Sequence, residues 1–221
     1  MSSEDSDFID AYSHPVSGGK KASTKQCRMN INALVMLKKI KWNVRSSPFH
    51  ARLNLFNPTT GGAAKANFMS RNTFEAPLCY GKITLMAPVV DPKTDNCDIV
   101  FFEEIVINRS TVRVCDVLSA IWKFYNDTEP SKDLIETLTS LLANRTPPGR
   151  LGPTYEQVVT AYTQNLVVPQ GALLTESVFF NGLIPWDDGT YYVNIVDEKA
   201  ARDAGVTPPD FDKLLAIASA A

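Results

Sequence analysis

Histidine is scarce in this chain, and acidic residues are missing from most of its first third. The 221 residues include two histidines, His14 and His50. A Ser, Cys or Thr nucleophile needs a base held beside it. His14 falls in a polar N-terminal stretch, and His50 lies among residues that alternate like a strand. No G-x-S-x-G elbow accompanies them. Cysteine is also sparse. Cys27, Cys79, Cys97 and Cys115 include no C-x-x-C pair, which argues against a structural zinc site. No G-x-G-x-x-G is present, and Gly61-Gly62 is not followed by the Lys-Ser/Thr of a phosphate-binding loop. The sequence therefore assigns no catalytic residue, no metal site and no cofactor. Apolar runs stay well short of a membrane span. The N-terminus opens on acids rather than on a signal peptide. A cytoplasmic or nuclear protein with reduced thiols is expected.

Net charge is only −2, but it is unevenly spread. Residues 1–10 hold four acids and no base, whereas residues 11–74 hold eleven Lys or Arg and no acid. Lys38, Lys39, Lys41 and Arg45 stand closest together, around Trp42. Cations beside aromatics are what single-strand nucleic-acid binding uses. An acidic protein surface would meet the same cations. On a strand, Lys39, Lys41 and Arg45 share the face opposite Ile40, Trp42 and Val44. That alternation equally suits bases lining the solvent side of a core strand. The paired carboxylates Glu103/Glu104 and Asp187/Asp188 read as a divergent strand pair and a solvated turn rather than as an acid–base couple.

What the chain does have is a strongly apolar centre from Asp98 to Tyr125. Ile99–Phe102 and Ile105–Ile107 are β-branched or aromatic and predict a strand. Asn108–Ser110 predicts a turn with a short return strand after it. Val114, Val117, Leu118, Ile121 and Tyr125 then recur at helical spacing. Upstream, strands are expected at Lys39–Val44, which a short helix can precede, at Pro48–Phe56 and at Lys82–Met86. Downstream, Ser131 caps a helix to about Ala143, and Thr154 with Gln157 opens another to about Asn165. Residues 177–184 and 190–196 flank Asp187-Asp188-Gly189 as a hairpin. A helical turn or two follows over Glu198–Ala204, and Thr207 with Pro208 opens a last helix.

These elements predict a disordered tail over residues 1–28, an α+β domain over 29–197 and a helical extension over 198–221. The expected architecture is an antiparallel, twisted sheet of about five to seven strands with helices packed on one face.

The motif order resembles a large fungal family known as domain of unknown function 6699. Its W-D-V-R-like strand, T-V-R-D-V-L-x-x-I-Y strand-to-helix junction and late F-x-G-L strand look like Trp42–Arg45, Val112–Trp122 and Phe180–Leu183. Asn43 stands where Asp is usual, and Arg113 where Thr is usual. The resemblance implies a fold and a soluble module. It implies no activity. The sequence thus reads first as a non-enzymatic interaction or scaffold module with a protein partner. The alternative is a nucleic-acid-binding protein using segment 11–74 through Lys38, Lys39, Lys41 and Arg45. A hydrolase without a recognisable motif comes third.

Overall fold

The computed structural model describes residues 27–53, 67–90, 101–143, 153–175, 177–187 and 189–203. Residues 1–26 of the expected tail (1–28), the loop at 57–66 and the last helix from Thr207 lie outside the described residues, while Cys27, at the end of that tail, donates its backbone N–H to Lys82 O at 2.9 Å and so belongs to the fold.

The first helix, α1 (Ile31–Lys38), is capped by Asn30, whose side chain accepts from the Ala33 N–H at 2.8 Å. Strand β1 (Ile40–Asn43) follows at once, so a helix and a strand share the Ile31–Val44 stretch. Pro48–His50 forms a 3₁₀ turn rather than the predicted strand. Proline at its start fixes the backbone, and among the described residues of that stretch only Arg52–Leu53 extends as β2. Strand β3 (Asn67–Phe68) and the one-turn helix α2 (Arg71–Phe74) lead into β4 (Pro77–Pro88).

The centre of the chain differs from expectation. β5 runs unbroken over Phe102–Arg113, and no turn forms at Asn108–Ser110. Asn108 and Arg109 pair with Lys82 and Gly81 of β4, and the two register shifts of the pairing, between Pro77 and Cys79 and between Cys79 and Gly81, lie just beyond them. A long neighbouring strand gives these residues ladder partners, and that outweighs their local turn preference. Helix α3 (Val114–Asp127) starts directly from β5. The Arg113 N–H donates to Asp116 Oδ2 at 2.8 Å, closing the first turn.

Helices α4 (Lys132–Ala143) and α5 (Pro153–Thr163) follow, then a 3₁₀ turn at Gln170–Leu173. Next come β6 (Phe179–Asp187), β7 (Thr190–Val196) and α6 (Glu198–Asp203).

The sheet order is β3-β2-β1-β6-β7-β4-β5. It is mixed rather than wholly antiparallel, because β7 runs parallel to β4 with Leu85 beside Tyr191. A parallel neighbour needs a long crossover connection, and the helices between β5 and β6 supply it.

Trp42, Phe180, Ile83, Leu85, Leu118 and Ile121 belong to one buried core. Buried polar groups in it reach backbone partners. Tyr125 donates its hydroxyl to Pro88 O at 2.8 Å, and the Trp42 indole donates to Ser46 O at 2.9 Å. Gln170 Nε2 donates to Val89 O at 3.3 Å. The Tyr125 and Gln170 bonds hold α3 and the Gln170 turn against the end of β4. No helix among the described residues is long and apolar enough to cross a membrane.

Candidate interaction surface

Alternation along β5 and β7 separates two kinds of residue. On β7, Tyr191, Val193 and Ile195 are buried, and Thr190, Tyr192, Asn194 and Val196 between them are half-buried. On β5, Ile107 is buried, whereas Glu104, Val106 and Asn108 are exposed. Successive strand residues point to opposite faces, so the register fixes which side chains meet. Phe102 lies opposite Pro88, and Glu104 opposite Met86. Met86 lies beside Tyr192, which faces Ile184 across the hairpin. Phe102, Met86, Tyr192 and Ile184 therefore share one face, turned away from Leu85 and Tyr191.

Three rings gather there. The Trp186 ring centroid lies 3.9 Å from that of Tyr192, with the planes 57° apart. The Phe102 and Tyr192 rings lie 4.7 Å apart at 54°. Tilted ring pairs of this kind align ring edges with ring faces. Burial raises the Tyr192 phenol above its ordinary pKa. Trp186 nevertheless keeps 58% of its surface exposed, and Val106, on the same side of β5, keeps 51%. A register shift between Pro185 and Asp187 sets Trp186 at the end of the hairpin. No family model, curated protein or solved structure matches this chain. Its own geometry is therefore what defines the site.

The four basic residues singled out in the sequence do not end in equivalent places. Lys38 closes α1, and Lys39 follows it, exposed. Lys41 lies on β1, but its Nζ is buried with no hydrogen-bond partner. Burial, and then the nearby Lys38 charge, lowers its pKa from the usual lysine value. Arg45 lies past the end of β1, where its guanidinium donates to Gly171 O from Nε at 3.0 Å and from Nη2 at 2.8 Å. Nη2 also reaches Thr175 O at 3.4 Å. Arg45 thereby ties the β1 turn to the Gln170–Leu173 segment.

His50 is exposed on its 3₁₀ turn, and His14 lies outside the described residues. Glu103 is half-buried and Glu104 exposed, on opposite faces of β5. No group of three or more His, Cys, Asp or Glu able to hold a metal occurs among the described residues.

The aromatic cluster went unnoticed in the sequence because its members are far apart. Phe102, Trp186 and Tyr192 come from three strands. Their one local signal is the alternation in Thr190–Val196, which puts Tyr192 opposite Tyr191. Only the β4–β7 pairing brings Phe102 to it.

Proposed function

We propose that this chain is a non-enzymatic protein-interaction module. Its helices cover one face of the sheet. The opposite face, at the β5–β4–β7–β6 end, receives an apolar segment of a partner polypeptide. The single observation that carries this reading is the exposed Trp186 ring, packed at a tilt on Tyr192, which Phe102 backs. Tryptophan and tyrosine dominate the energetics of protein interfaces, and a contiguous apolar patch in water is the usual mark of one. The resemblance to domain of unknown function 6699 agrees with an α+β module and assigns no competing chemistry.

The test is site-directed photo-crosslinking from position 186 in native extract, followed by reconstitution with the purified partner. Trp186→Ser should weaken that partner's binding by about thirtyfold or more, the loss of one interface hot spot. The melting temperature should stay unchanged, because the ring is mostly in solvent. Equal binding by wild type and variant would defeat the proposal.

The nucleic-acid reading draws on fewer cations than the sequence offers, since Lys41 Nζ is buried and Arg45 is engaged with backbone carbonyls.

A further inference from the structure

The outer edge of β5 is the longest unpaired backbone edge of the sheet among the described residues. β5 ends the strand order, and β4 occupies its other side over the whole of Pro77–Pro88. From Phe102 to Arg109 its pairing with β4 is regular, without a shift. A regular edge presents alternate N–H and C=O groups outward and is a template for another strand. Native edges are commonly guarded by charge, and β5 carries Glu103, Glu104 and Arg109 along this run.

Where those charges sit decides what the edge can accept. A two-fold axis perpendicular to the sheet, placed at Val106, sets a second copy of β5 antiparallel to the first. Residues whose numbers sum to twice 106 then face each other. Glu103 meets Arg109 of the partner copy, and Arg109 meets its Glu103, so two ion pairs form. Ile105 meets Ile107 twice, extending the core side across the junction. Val106 meets Val106, and Glu104 meets Asn108. This axis keeps core-side residues opposite core-side residues, as strand pairing requires.

Neighbouring registers lose the match. Centring on Ile107 sets Ile105 against Arg109. Centring on Ile105 sets Glu103 against Ile107 and Arg109 against Phe101. The charges that would repel most partners are therefore complementary to themselves in one register. Arg109 also lies 3.9 Å from Asp116, so its guanidinium is already held on the core side, where Glu103 of the second copy would arrive.

We propose that two copies of this chain associate through antiparallel β5 edges centred on Val106, joining their sheets into one. Such an isologous contact closes at two. It uses the backbone edge of β5 rather than the sheet face that carries Trp186, and would hold two such faces in one assembly.

Sedimentation of the full chain over a concentration series tests this. Wild type is expected to pass from monomer to dimer. Glu103→Arg or Arg109→Glu alone places like charges opposite at both symmetry-related positions. Each should raise the dissociation constant roughly ten- to thirtyfold. The double variant Glu103→Arg/Arg109→Glu should restore dimers, and an equimolar mixture of the two single variants should form heterodimers. Circular dichroism and a thermal melt on each variant separate loss of association from loss of fold, and the mixture retains the test should the double variant fail to fold. A wild type that stays monomeric at every concentration overturns the proposal. So do single variants that dimerise as well as wild type, or folded single variants that fail to combine.

Discussion

Lys41 shows how far a single residue can depart from its place in a sequence pattern. By alternation it belongs to a solvent-facing basic row, yet its Nζ is buried without a partner. A buried polar group left unsatisfied costs about 1–3 kcal/mol, more if charged. Lys41→Met keeps the aliphatic stem and removes the amine, so it should stabilise the fold by about 1 kcal/mol at pH 7. The sign of the pH dependence follows from the lowered pKa. The folded chain holds the Lys41 proton more weakly than the unfolded chain does. The penalty is therefore full at neutral pH and fades as pH rises towards the ordinary lysine value. Urea melts at neutral pH and near pH 10 check this: the gain should shrink at the higher pH, and a destabilised variant would refute the reading. Cys79 has the opposite relation to pH. Burial, then its contact with Cys27, pushes its thiol up to about 12, which keeps it protonated and slow to react. Its place beside Cys27 could not be read from a spacing of tens of residues.

At the scale of elements, α3 was the most legible part of the chain. Its stripe of Val114, Val117, Leu118, Ile121 and Tyr125 is buried as the helical period requires. Leu118 is completely buried. Leu118→Ala should destabilise by about 2–5 kcal/mol, from lost burial and the cavity left behind. A change below about 0.5 kcal/mol in a denaturant melt would contradict that packing. Elements near breakers were read less well. Pro48 suggested the start of a strand but forms a 3₁₀ turn, and Lys82–Met86 proved to be the middle of a strand twelve residues long. Gly182 illustrates a constraint that local pattern hides. Its φ is +93°, and a Cβ there would lie 3.0 Å from Lys38 Cα, so the end of α1 approaches β6 closely at that point. The motif F-x-G-L marks the glycine, but only the docking of α1 gives the reason for it.

For the whole molecule, charge distribution and sheet topology decide what the surface offers. If segment 11–74 met a polyanion, each phosphate contact would release counterions, and affinity would fall with a log–log salt slope of about −0.7 per contact for single strands. We expect RNA or single-stranded DNA to bind no better than to a neutral-surface control at physiological salt. Filter binding over a salt series checks this. Salt-sensitive micromolar binding lost in Lys38→Glu/Lys39→Glu, a reversal that leaves the Arg45 contacts intact, would promote the polyanion reading. The sequence by itself determined the α+β class, the α3 stripe, the α4 helix and the late hairpin, because each rests on a hydrophobic period within a dozen residues. Tertiary structure alone decided that β7 runs parallel to β4, that Asn108–Ser110 stays extended and that Lys41 is buried. It also brought Phe102, Tyr192 and Trp186 together. Those outcomes depend on which distant strand becomes the neighbour, a competition among long-range pairings that no local window of residues contains.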